Sequence, residues 1–180
     1  MSRHTKIDDL DWIASVGTIA DVASKAWIPF LKKVFKKYKI PLKKDFFKSR
    51  LGNVAHIISS AEVYDEKNTA LCFDVVYDAK NYSNVLFSVL SKFAKAIENE
   101  INYFTKNVKK LAEFYDDINF VFYFLKPKHA VTSPLSTILG FKYPEKTVIV
   151  ASSDNGKIHA SIRRQDKKVA VNNLVENACN

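Results

Sequence analysis

Apolar positions in the first forty residues recur at helical spacing, and lysines fill the gaps between them. Leu10, Ile13, Ala14 and Val16 give an apolar face that reaches about Val22, with Gly17 interrupting the run. Thr5 followed by Asp8 fits a capping box, and Asp8, Asp9 and Asp11 crowd a first turn, where a helix N-terminus favours anions. A second helix fits "SKAWIPFLKKVFKKYK": Trp27, Phe30, Leu31, Val34, Phe35 and Tyr38 form one face, with Lys32, Lys33, Lys36 and Lys37 opposite. Pro29 fits only the first turn, so this helix starts near Trp27, and Pro41 ends it. Most of these aromatics are expected in the core.

Helical patterns continue through Asp45–Tyr64 and Thr69–Ala79. Leu90, Phe93, Ile97, Ile101, Phe104, Val108, Leu111 and Tyr115 then alternate spacings of three and four, which predicts one long helix with a narrow apolar seam. The period changes at Asp116–Asp117. "INFVFYFL" is continuously apolar, aromatic and β-branched, as in a strand covered on both faces. A short helix follows near "SPLSTILG", with Ser133 as its cap and Pro134 at its first position. "TVIVAS" and "KIHASIRR" flank Asp154-Asn155-Gly156, a tight-hairpin signal. In the second strand Ile158, Ala160 and Ile162 point one way, and Lys157, His159, Ser161 and Arg163 the other. "VAVNNLVENACN" reads as a final helix. The pattern predicts an α+β protein with three parts: a helical region over 1–80, a long connector helix over 81–117, and a small β-α-β-β-α module over 118–180.

Composition sharpens this reading. Nearly half of the 180 residues are hydrophobic, which excludes disorder as the default state. Cys72 and Cys179 lack metal-binding or redox spacing and read as reduced thiols of an intracellular protein. The start of the sequence carries no signal-peptide core and no apolar run approaches membrane length, so a soluble, cytoplasmic protein is expected. The net charge of +9 is concentrated: Lys25 to Arg50 holds ten Lys or Arg and one acid, Asp45, while the remaining basic and acidic residues balance at 18 each. Such a segment, which includes Lys43 and Lys44, is either the solvated face of amphipathic structure, a surface for nucleic acid or an acidic partner, or a membrane-surface helix. Ser161 beside Arg163 suits a phosphate, because guanidinium offers a two-pronged donor and serine a short one. An ordinary polar hairpin strand presents the same residues. The histidines at 4, 56, 129 and 159 have no metal-ligand spacing, and His56 is expected in the core or at its boundary. No glycine-rich phosphate loop or nucleophile elbow is present.

The order of motifs resembles a known family. "DLDWIASVGTIADV" resembles the segment near the end of the catalytic domain in RecJ-type exonucleases of the DHH phosphoesterase superfamily, where a GT-x-AD stretch supplies one Asp to a manganese site. The long helix resembles that family's connector. "VFYFL…TVIVASSDNGKIHASIRR…VNNL" resembles its DHH-associated domain, and Ser161-Ile162-Arg163 matches the S-x-R motif. The departures matter as much. No Asp-His-His triplet occurs, the only Asp-x-Asp is Asp9-Leu10-Asp11, and the family's glycine-rich GGH segment is missing. Asp21 is therefore a lone match to a metal ligand, and a single carboxylate cannot hold a catalytic Mn²⁺ or Mg²⁺.

The resemblance implies a RecJ homologue reduced to its connector and nucleic-acid-binding portions, or a fragment of a longer protein. It implies a non-catalytic replication subunit without a cofactor, whose partners are a GINS-like complex, the replicative helicase and single-stranded DNA. Nucleic acid would meet Lys32, Lys33, Lys36, Lys37, Lys43 and Lys44 on one surface, and Lys157, His159, Ser161, Arg163 and Arg164 on another. Two alternatives stay open: a protein–protein adaptor with little DNA contact, and a phosphoesterase half-site completed by a partner chain.

Overall fold

The computed structural model describes residues 7–154 and 156–179; Thr5 of the expected capping box lies outside them. The protein is mixed α+β with a helical N-terminal half, and the chain divides into two compact units, Met1–Ala96 and Ile97–Asn180.

In the first unit a 3-10 turn at Ile7–Leu10 leads into α1 (Asp11–Ala20), followed by α2 (Ile28–Lys37), α3 (Arg50–Tyr64), α4 (Asn68–Asp78), α5 (Tyr82–Leu86) and the start of α6 (Leu90–Leu111). The core gathers the apolar stripe of each: Trp12, Val16 and Ile19 from α1, Leu31, Val34 and Phe35 from α2, Leu51 and Val54 from α3, and Val85 and Leu90 beyond. Each such side chain, fully buried, contributes about 1.5–3 kcal/mol. Gly17 does not interrupt α1, which passes through it. What ends α1 is Val22, at φ 58°: the Val22 amide donates to Ile19 and the Ala23 amide to Thr18, the paired bonds of a left-handed helix stop. Lys39, at φ 52°, ends α2 the same way before Pro41 is reached.

A second 3-10 turn, Phe46–Lys48, precedes α3; Asp45 caps it (Phe47 N to Asp45 Oδ1, 3.0 Å) and Ser49 caps α3 (Gly52 N to Ser49 Oγ, 3.1 Å). A Cβ on Gly52 would sit 2.3 Å from the Phe47 carbonyl oxygen, so only glycine lets this turn fold back on the helix.

The second unit holds the rest of α6 and a four-stranded sheet in the order β1 (Glu113–Tyr115), β2 (Phe120–Leu125), β3 (Thr147–Asp154) and β4 (Lys157–Arg163). β2 and β3 are parallel, joined through α7 (Thr132–Lys142), while β1–β2 and β3–β4 are antiparallel. α8 (Val171–Cys179) follows.

The structure corrects four expectations here. The long helix stops at Leu111, and Tyr115 belongs to β1, a strand additional to the expected order. A spacing of four is even, so it suits alternation in a strand as well as a helical turn; the aromatic run Glu113–Tyr115 finds a hydrogen-bonding partner in β2. The connector also does not begin at 81, because Tyr82–Leu86 is the separate helix α5, capped by Asn81 (Ser83 N to Asn81 Oδ1, 2.9 Å). α7 starts one residue before Ser133, with Val131 at its N-cap and no capping side chain.

Finally, β2 is not covered on both faces. Val121, Tyr123 and Leu125 are buried on the face that meets α6, where the Tyr123 hydroxyl donates to the Phe104 carbonyl (3.3 Å), and Val148 and Val150 of β3 continue that face. α7 covers the same face through Leu135, Leu139 and Ser136. On the opposite face Phe122 is half-buried and Phe124 is 44% exposed.

Candidate nucleic-acid interface

α2 has the form its sequence demands. Leu31, Val34 and Phe35 are turned wholly into the core, which forces the intervening lysines outward. Lys32, Lys33 and Lys36 are exposed and make no hydrogen bond or ion pair among the described residues. Lys32 and Lys36 stand one turn apart, a like-charge pairing that costs a few tenths of a kcal/mol. Lys37 differs from them, because its ammonium donates to Asp11 Oδ2 at 3.0 Å, and that bond raises its pKa.

Beyond the helix the basic segment is partly committed to its own structure. Lys43 donates to the Lys48 carbonyl (2.8 Å), Lys48 lies 3.7 Å from Asp45, and Arg50 reaches the Tyr82 hydroxyl at 3.4 Å. Lys44 is exposed and makes no such bond among the described residues.

Two aromatics of this segment are outside the core. Trp27 is 56% exposed and Phe47 is 47% exposed, whereas Phe35 is buried and Phe30, Tyr38 and Phe46 are half-buried. Helical spacing places Trp27 on the apolar face, but Trp27 is the N-cap, at φ −116°, and so lies outside the phase of the helix that begins after it. Its ring meets Phe30 edge-on, at 6.4 Å between centroids. The Pro at position 29 was the available signal, since it fixes where helical geometry starts.

The second group of expected residues lies in the other unit, on β4 and just after it. Lys157 and His159 are exposed. Ser161 is already engaged: Ser136 Oγ of α7 donates to Ser161 Oγ at 2.8 Å. Arg163 donates to the Ile162 carbonyl (2.8 Å) and lies 3.5 Å from Ser133 Oγ. Arg164 grips both oxygens of Asp166, at 2.8 and 2.9 Å, and also reaches Thr147 Oγ1 at 3.2 Å. This pair holds the Asp166 carboxyl down to about 2, with the Arg164 bonds as the chief cause and the Lys168 amide next. Ser161, Arg163 and Arg164 thus tie α7 and the following loop to the sheet.

Asp21 is exposed at the C-cap of α1 and belongs to no cluster of three or more His, Cys, Asp or Glu side chains among the described residues. Asp11, from the only Asp-x-Asp, is taken up by Lys37 and Tyr38. His56 is an exposed residue of α3 rather than a core one. Cys72 is buried, and that burial raises its thiol pKa. No helix among the described residues is long and apolar enough to cross a membrane.

These features define a mixed α+β protein with a basic helical face in one unit and a four-stranded sheet, backed by helices on one side, in the other. No protein-family model matches the chain, and neither a curated protein nor a solved structure is significantly similar to it.

Proposed function

We propose that this chain is a non-catalytic, RecJ-like replication subunit that binds single-stranded nucleic acid and joins a GINS-like complex and the replicative helicase. The partners come from the motif resemblance. The binding role rests on one observation: Lys32, Lys33 and Lys36 project from α2 without a partner among the described residues, although their mutual repulsion gains the fold nothing. Exposed Trp27 at the head of the same helix adds a stacking surface, and a basic track with a protruding aromatic suits unpaired bases. The β4 group contributes less, because Ser161, Arg163 and Arg164 spend their polar atoms internally.

The test is a titration of the purified chain with fluorescent single-stranded DNA at several salt concentrations, with and without manganese. Affinity that falls steeply with salt, without cleavage, supports the reading. Absence of binding at low salt removes it and leaves the adaptor role. The half-site alternative predicts manganese-dependent cleavage only in a complex reconstituted with the partner chain that carries the missing acids, lost in Asp21→Ala.

A further inference from the structure

The sheet of the second unit ends in an edge guarded by charge alone. β4 is the last strand in the order β1-β2-β3-β4, and its register with β3 runs without a bulge from Asp154↔Lys157 to Val148↔Arg163. Open edges are normally guarded by proline, bulges, brevity or charge, and on β4 only the charge of Lys157 and Arg163 is present. β4 has seven residues, no proline and no bulge, and Lys157 to Ala160 are all exposed.

The turn fixes which backbone groups face outward. A two-residue loop closes on a hydrogen-bonded pair, here Asp154 and Lys157, so Lys157, His159 and Ser161 bond inward to β3 while Ile158, Ala160 and Ile162 face away from it. The Ile162 carbonyl is met by the guanidinium of Arg163 (2.8 Å). The N–H and C=O of Ile158 and Ala160 make no backbone hydrogen bond outside the ladder among the described residues.

Side chains specify what fits there. Ile158 is 71% exposed and shares the sheet face left uncovered by α6 and α7 with Phe124. The other face of the edge carries Lys157 and His159, with Arg163 at its far end and no acid along the strand. A second copy of β4 is a poor occupant. Antiparallel self-pairing sets Lys157 against Arg163, and parallel self-pairing sets Lys157 beside its own duplicate; like charges facing each other across strands are destabilising.

The geometry points to β4 as a docking edge for an extended acidic segment of a protein partner, one that alternates carboxylates with apolar residues. Its backbone pairs with Ile158 and Ala160, its carboxylates lie beside Lys157 and His159, and its apolar residues extend the uncovered face over Ile158. The mode is strand addition, in which main-chain bonds give affinity and alternate side chains give specificity. It is independent of the basic face of α2.

The experiment titrates the full chain with labelled eight-residue peptides and reads fluorescence anisotropy. The probes are an alternating Glu/Val peptide, its Lys/Val counterpart, a Glu/Val peptide of the same composition in block order, and the alternating peptide N-methylated at alternate amides. Saturable binding of the alternating Glu/Val peptide is expected, with the other three at least about tenfold weaker and Lys157→Glu weakening it about fivefold. Equal binding of the block-order or N-methylated peptide overturns strand addition. Absence of any peptide binding overturns the acidic partner. Displacement of the peptide by a single-stranded oligonucleotide assigns the edge to nucleic acid. Sedimentation of the free chain as a dimer that Lys157→Glu alters assigns it to a second copy.

Discussion

The Tyr38 hydroxyl donates to Asp11 Oδ1 at 2.8 Å, and the neighbouring Lys37 takes Oδ2 at 3.0 Å, so one carboxylate of α1 holds the last turn of α2. Asp11 is the second acid of the only Asp-x-Asp in the chain, and the structure uses it as a clamp between helices. Burial, with Asp11 second, pushes Tyr38 up to about 12. The protonated phenol is therefore favoured in the folded state. The stability it lends is present below the unfolded value of about 10 and is lost as pH rises toward 12. Tyr38→Phe should cost about 1–2 kcal/mol at neutral pH in urea unfolding and flatten the decline between pH 10 and 12. Tyr123, also pushed up to about 12 by burial, keeps part of that decline in the variant. An unchanged urea midpoint would show that the bond contributes nothing.

Gly17 and Val22 predict gains rather than losses. A Cβ at Gly17 would meet nothing within 4 Å, so Gly17→Ala should stabilise by about 0.5–1 kcal/mol through helix propensity alone. Val22 holds a left-handed conformation that disfavours β-branched residues by about 1–2 kcal/mol. Val22→Gly relieves this, offset in part by the greater freedom glycine adds to the unfolded chain, for a net gain near 1 kcal/mol. Gly52→Ala should act in the opposite sense and cost about 3 kcal/mol, because carbonyls of Phe46 and Phe47 fill the space its methyl needs. Thermal melts of the three variants separate these effects by sign.

Helices α1, α2 and α3 were legible because each buries a stripe at regular spacing: Leu31, Val34 and Phe35 leave Lys32, Lys33 and Lys36 no place but solvent, whereas α5, with 5 residues, is too short to show a period. The β3–β4 hairpin was legible from its turn, where Gly156 takes φ 75°. Other features depend on tertiary partners that local pattern does not carry. Phe122 and Phe124 are as apolar as Val121 and Tyr123, yet only the latter face meets α6 and α7, so the composition of β2 does not reveal that one side is open. Ser161 and Arg163 suit phosphate by residue type; that Ser136 and Ser133 of α7 meet them follows from how α7 crosses the sheet.

The Arg164–Asp166 pair predicts an acid limit for the second unit. Asp166 is held down to about 2 in the folded state, below the usual carboxylate value near 3.9. A depressed carboxyl lends stability above its unfolded value and loses it as pH falls through the folded one, so the window is about pH 4 to 2. Near-ultraviolet circular dichroism should show acid unfolding that Asp166→Asn shifts toward a flatter profile in that window. Fully retained steepness in the variant would assign the transition to other carboxylates.

The proposed interface separates into a charged and a stacking component, and two variants distinguish them. Lys32, Lys33 and Lys36 are exposed and have no partner among the described residues, so the triple change to Gln leaves stability within about 0.5 kcal/mol, with relief of the Lys32–Lys36 repulsion helping. Each phosphate contact to a single strand contributes about 0.7 to the slope of log affinity against log salt, so loss of three should reduce its magnitude by about 2. Trp27→Ala removes no charge. It should weaken binding of single strands by about 1–3 kcal/mol, the range for one stacked base, while leaving the salt slope unchanged and duplex affinity nearly so. Anisotropy titrations of both variants over a salt series check this. A slope that the triple variant leaves intact would take the phosphate contacts off α2, and equal losses for single and double strands in Trp27→Ala would assign the tryptophan to packing against Phe30 instead of to stacking on a base.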